Sequence, residues 1–184
     1  MVSIRPFDSS NGSADVFELM RIDAECEGDE HHVFYGPHWW KRFVRQPQGH
    51  AFVAELAGCV AGFVAVRLAK DGAYLAWLFV QKPHRRRGVG RALLAHALSL
   101  VPAQCPGGLA TLHVEASNEP ALSLYRAAGF RLQQLPSGGP VLVQDHPCQG
   151  CQSYAMEVRL PAGRDTSVAA GAEVEDSLPR CAEA

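Results

Sequence analysis

Arg85-Arg86-Arg87-Gly88-Val89-Gly90-Arg91 follows an apolar run that closes at Pro83 and leads into a helical pattern. A strand, a turn and a helix N-terminus in that order present main-chain N–H groups to an anion, and the helix dipole adds positive potential there. Glycine lets an anionic group approach the backbone closely. This spacing predicts phosphate binding. A second set of residues can move protons. His113 and Glu115 alternate with apolar residues in Leu112-His113-Val114-Glu115, which puts imidazole and carboxylate on one strand face. Imidazole accepts protons near neutral pH. Asn118 and Tyr125 lie on one face of the helix that follows, two turns apart. Each group also has a plainer reading. The arginines can form a solvated surface, Asn118 an N-cap, Tyr125 a packed aromatic, and His113 and Glu115 the polar end of a strand. Gly88-Val89-Gly90 does not open a dinucleotide fold, because Leu93 stands where the third glycine belongs and no βαβ unit begins the chain.

The elements that must position these groups follow from hydropathy. Residues 2–5 read as a first strand. Ser13 or Asp15 can cap a helix through Val16, Leu19, Met20 and Ile22. Residues 28–37 read as a polar loop, and Trp39, Trp40, Phe43 and Val44 as a short helix stopped by Pro47. Strands at 51–56 and 60–68 flank Ala57-Gly58, and Asp71-Gly72 turns into a strand over 74–80. The pattern predicts a helix over 88–101 with Val89, Ala92, Leu93, Ala97, Leu98 and Val101 inward. A strand over 110–114 comes next. Ser117 or Asn118 then caps a helix through Ala128, with Gly129 at its left-handed end. Late strands fall at 131–135 and 154–160, with a loop over 141–152 between them. The strands into Val80 and Val114 are parallel through a crossover helix, which makes the class mixed α/β.

A chain of 184 residues fits one domain, here 1–160, and a flexible tail at 161–184 rich in Ala, Gly, Asp, Glu and Ser. The net charge of −2 argues against a general nucleic-acid binder. No stretch approaches the roughly 20 apolar residues of a membrane span, and the N-terminus lacks a signal peptide's apolar core. A cytoplasmic location with reduced cysteines is therefore expected. Cys148 and Cys151 have the spacing of a zinc or redox pair, but no second pair accompanies them. They read as an inert loop, and no metal is expected.

Residues 85–90 resemble the Arg/Gln-x-x-Gly-x-Gly/Ala acyl-CoA signature of the GNAT superfamily of N-acetyltransferases. Asn118-Glu119-Pro120-Ala121-Leu122-Ser123-Leu124-Tyr125-Arg126-Ala127-Ala128-Gly129-Phe130 resembles the Asn-x-x-Ala-x-x-Leu-Tyr-x-x-x-Gly-Phe segment of the same family. With the flanking strands the resemblance covers residues 2–160. It implies a GNAT-type acyl-CoA N-acyltransferase fold, with a mixed twisted sheet of about seven strands and helices on both faces. It also implies direct transfer of acetyl from acetyl-CoA to a primary amine. The acceptor is a small molecule, slightly favoured, or a peptide N-terminus. In such a fold the turn of Arg85, Arg86, Arg87, Gly88, Val89, Gly90 and Arg91 wraps the CoA pyrophosphate. Leu78, Phe79 and Val80 pair with the pantetheine, and Asn118 and Ala121 contact it. Tyr125 protonates the departing thiolate, and an N–H of Phe79 or Val80 supports the carbonyl oxygen. Some relatives carry a Glu base where Tyr74 stands here, so that base is absent. His113 and Glu115 remain the candidates to take the proton, directly or through water. Residues 26–40 would form the acceptor wall, with Glu25, Glu27, Asp29 and Glu30 favouring a cationic amine. Residues 141–152 would shape specificity. A CoA-binding module without transfer is the rival reading, and a homodimer, common among such proteins, stays open.

Overall fold

The computed structural model describes residues 1–8, 10, 13–25, 42–43, 45–143 and 152–161. The expected acceptor wall, the short helix expected around Trp39 to Val44 apart from residues 42–43, the Cys148/Cys151 pair and the expected tail past residue 161 lie outside the described residues. Eight strands form one mixed sheet, one more than the resemblance implies. β1 (Val2–Pro6), β2 (Gly49–Leu56), β3 (Cys59–Ala69) and β4 (Gly72–Val80) run antiparallel in sequence order. β5 (Leu109–Glu115) then joins β4 in parallel. β6 (Arg131–Leu132) and β7 (Leu142–Val143) both pair with β8 (Ser153–Arg159), which lies antiparallel beside β5. Ala57 and Gly58 both take positive φ, 54° and 78°. That twist suits a two-residue hairpin.

Helices cover both faces. On one face α1 (Ala14–Glu25) buries Leu19 and Ile22 against Phe63 and Ala65 of β3. On the other, α2 (Val89–Ser99) and α4 (Glu119–Ala127) bury Leu93, Leu94 and Leu122 against Val64, Val66, Leu112 and Met156. The helix expected over 88–101 is shorter. Gly88 is its N-cap, the last turn closes at Leu100, and a separate turn, α3 (Val101–Gln104), restarts with Pro102 near its beginning. Proline has no N–H to continue the first helix but suits the start of the second. The strand expected over 131–135 also contracts to Arg131–Leu132, with an isolated bridge between Gln134 and Pro140. Gly138 and Gly139 turn the chain at φ 79° and 94°, and β7 arises inside the expected loop. Both short ladders exist because β8 offers an edge, which no local pattern encodes. Among the described residues no helix is long and apolar enough to cross a membrane.

Ser13 caps α1, its Oγ accepting the Val16 N–H at 3.3 Å. Asp15 instead accepts two hydrogen bonds from Arg5, at 2.5 and 2.7 Å, and one from the Asp8 N–H at 2.8 Å. Arg5 also reaches Glu55 at 2.6 Å, so β1, β2 and α1 share one guanidinium. Burial pushes the Asp15 carboxyl up, but these hydrogen bonds outweigh it and hold the group below the usual carboxylate range. The stabilisation is therefore complete above the unfolded value of about 4 and is lost as pH falls through the lower folded value. Asp15→Asn is expected to cost about 2 kcal/mol at neutral pH. In chemical denaturation the gap between the two proteins narrows below about pH 4. A gap independent of pH would remove Asp15 from that linkage.

Candidate active site

β4 and β5 pair only where Ala73, Tyr74 and Leu75 face Ala110, Thr111 and Leu112. β4 runs on to Val80 and β5 to Glu115, so the strands part and leave a gap between their C-terminal halves. Main-chain direction along β4 is fixed by β3. The Gln81 N–H donates to the Ala61 carbonyl at 2.9 Å. A Cβ on Gly62 would come within 2.3 Å of the Phe79 carbonyl, which therefore points at β3. By strand alternation the main-chain groups of Leu78 and Val80 face the gap. Of the pair expected to support the carbonyl oxygen, Val80 turns its N–H to the gap and Phe79 turns its own toward β3. The Phe79 side chain belongs to the α1 face, stacked on Trp77 with centroids 5.9 Å apart and tilted on Phe63 at 5.1 Å. The Val80 carbonyl accepts from Arg85 Nε at 3.0 Å, so Arg85 reaches the strand edge rather than only solvent.

Past Val80 the chain makes a 3-10 turn over Lys82–His84, and Arg86 and Gly88 both adopt left-handed backbone at φ 63° and 83°. A left-handed arginine costs on the order of 1 kcal/mol. Gly88 then caps α2 with no side chain to accept from the first turn. The first in-helix bond at this end is Ala92 N–H to the Gly88 carbonyl, 3.0 Å. The N–H groups of Val89, Gly90 and Arg91 precede it and are left over for an outside acceptor. Gly90 forms part of the gap wall. A Cβ there would sit 3.4 Å from Leu124, 3.6 Å from Val80 and 3.7 Å from Leu78. This is a cradle that a side chain would fill, and its donors suit a diphosphate. Gly90→Leu is expected to weaken acetyl-CoA binding by on the order of 10-fold to 100-fold in calorimetry. Wild-type affinity in that variant would put the phosphates elsewhere. Gln81, buried at the start of the turn, was not anticipated. With its amide oriented to match its neighbours it donates to the Val60 carbonyl at 2.8 Å and accepts from Arg21 of α1 at 2.8 Å.

His113 and Glu115 share the α1 face of β5 as predicted, while Ala110, Leu112 and Val114 turn into the core on the other side. Their surroundings differ. Glu115 Oε1 accepts from the Ser117 hydroxyl at 3.1 Å. His113 Nδ1 lies 3.3 Å from the Tyr74 hydroxyl, with the two rings edge to face at 5.4 Å. Tyr74 looked like the mere absence of a carboxylate; the fold makes it the partner of the imidazole. The signal was a phenol at the position itself, but its contact depends on Tyr74 pairing with Thr111 across β4 and β5. Tyr125 approaches from the opposite face, 8% exposed and edge to face with Phe130 at 5.8 Å. Burial raises its phenol well above the ordinary tyrosine value, and the field of Tyr74 adds to the shift. The phenol is therefore protonated at neutral pH. Asn118 is the cap of α4, its Oδ1 accepting the Ala121 N–H at 3.1 Å. That bond uses the Ala121 N–H, while the second lone pair of Oδ1 and the Nδ2 donors of Asn118 stay available to a ligand.

Known proteins resemble this chain in sequence and fold. The family model described as acetyltransferase (GNAT) family matches residues 14–130. The N-alpha-acetyltransferase RimI of Mycobacterium tuberculosis is 30% identical over 61% of this chain and 75% of its own length. The Escherichia coli [ribosomal protein bS18]-alanine N-acetyltransferase is 37% identical over 40% of this chain and 49% of its own. Among solved structures, Ard1 of Thermoplasma volcanium superposes with a TM-score of 0.71 at 22% identity, covering 87% of this chain and 99% of that one. The PaiA N-acetyltransferase of Thermoplasma acidophilum, solved with coenzyme A, gives 0.66 at 15% identity, covering 87% and 99%. The chain belongs to the acetyltransferase (GNAT) family and is an acetyl-CoA-dependent acetyltransferase.

Proposed function

We propose that the enzyme moves acetyl directly from acetyl-CoA to a primary amine, with the amine approaching from the α1 face of the sheet. The reading rests on one feature, the gap between β4 and β5. It opens to the Gly88 turn, carries Tyr74 and His113 on the α1 face and meets Tyr125 from the other. Acetyl-CoA supplies an activated acetyl thioester. The N–H groups of Val89, Gly90 and Arg91 hold its diphosphate, with arginine side chains adding charge. The main chain of Leu78 and Val80 aligns the arm, and the Val80 N–H takes up charge on the carbonyl oxygen.

An alkylammonium has a pKa near 10, so the amine must lose a proton before it attacks. The His113 imidazole accepts that proton, directly or through one water, and the Tyr74 hydroxyl fixes the ring. Glu115, two residues on and on the same face, adds negative potential. Tyr125 donates to the leaving sulfur. Burial keeps the phenol protonated and makes it a weaker acid than free tyrosine. Its main contribution is then the hydrogen bond to the developing thiolate.

For the acceptor, the named activity of the Mycobacterium tuberculosis relative moves the balance from a small molecule toward the α-amine of a peptide. A thiol-release assay with acetyl-CoA over a panel of amines and N-terminal peptides tests the whole reading. Acetyl-CoA binding with no release for any acceptor would leave only a binding module.

A further inference from the structure

We propose that a pocket beside Tyr74 holds a carboxylate of the acceptor on the Arg67 guanidinium. The pocket has a volume of about 460 Å³ and lies where β3, β4 and β5 come together at the closed end of the gap. Arg67, Tyr74 and Thr111 line it and stand in register across the three strands, Arg67 opposite Tyr74 and Tyr74 beside Thr111. All three share the α1 face, since Val66 and Leu75, their neighbours, turn into the opposite core. The residues bearing amine-side chemistry and the pocket thus border the same ring. The Tyr74 hydroxyl meets His113, and the face of the ring carries the Arg67 guanidinium 5.6 Å from its centroid.

Arg67 is exposed and makes no ion pair or side-chain hydrogen bond among the described residues. Asp71 lines the same pocket from the β3–β4 turn without pairing with it. A guanidinium offers a planar set of five donors matched to a carboxylate, and contact with an aromatic face holds it in place without consuming them. A cation so placed, without an ion-pair partner among the described residues and next to the amine's proposed proton acceptor, selects among amines by what they carry a few bonds away. The same chemistry comes from an ω-amino acid or from an acidic side chain near a peptide's N-terminus.

This inference rests on Tyr74 and His113 receiving the amine. It is tested by kcat/KM from thiol release with acceptors matched in pairs. One pair is an ω-aminoalkanoate and its carboxamide, the other a peptide with Glu at its second position and the same peptide with Gln. At least one pair is expected to favour the carboxylate by about 10-fold, and which pair does so identifies the source of the anion. Arg67→Gln brings that ratio to about one, and Arg67→Glu inverts it in favour of a Lys-bearing peptide. Thermal unfolding of both variants checks that they fold. A selectivity ratio would not move if Arg67 merely supported Tyr74, because both members of a pair would slow together. Transfer without preference, or a preference that survives Arg67→Gln, overturns the anion site and leaves the transfer reaction standing. No transfer to any acceptor overturns both.

Discussion

Tyr125→Phe is expected to lower kcat by on the order of 10²-fold, with acetyl-CoA affinity near that of the parent protein. The substitution removes one oxygen from a side chain that is 8% exposed and packed edge to face on Phe130. The ring stays, so the fold has little reason to change. What disappears is the only proton that the α4 side presents to a leaving sulfur in the proposed mechanism. The raised phenol pKa sharpens the expectation. A group that never ionises near neutral pH adds no alkaline limb of its own, so the shape of the pH–rate profile persists in the variant while its height falls. Stopped-flow or steady-state thiol release, together with calorimetry for acetyl-CoA, separates the two effects. Unchanged turnover removes Tyr125 from the mechanism, and a parallel loss of binding makes it a structural residue.

His113→Ala is expected to cost 10²-fold to 10³-fold in kcat/KM, roughly the range for a general base. Tyr74→Phe, which keeps the ring and the face that Arg67 covers but removes the hydroxyl 3.3 Å from Nδ1, costs less, about 10-fold. The double variant is expected to fall no further than His113→Ala alone, because both residues act on one proton. Additive losses would show that Tyr74 and His113 serve separate steps. The pH dependence carries a second test. An amine that loses its proton to His113 reacts faster as pH rises through the imidazole's titration. In His113→Ala that limb gives way to the titration of the free amine. If Glu115 is the acceptor instead, the limb persists in His113→Ala and vanishes in Glu115→Gln.

Much of this site was legible in the residues. The turn from Arg85 to Arg91 reads from its own residues, since Gly88 is the residue type that tolerates φ 83°. The cap at Asn118 and the left-handed close at Gly129 are equally local. Three things were not. Tyr74 lies 39 residues from His113, and their contact comes from a parallel pairing of only three residues on each strand. The choice of Val80 over Phe79 depends on which edge of β4 meets β3, and hydropathy is blind to main-chain direction. Arg67 comes beside Tyr74 because β3 places the two in register, far from every motif.

Sequence by itself determined the family, the Gly88 turn and the strand–helix order, because these depend on residues within one or two turns of each other. Tertiary structure decided which side chains face one another. Tyr125 belongs to one face of the sheet, and His113, Tyr74 and Arg67 to the other. In the proposed mechanism they serve one reaction because β4 and β5 stop pairing after Leu75 and Leu112, which leaves an opening between the two faces.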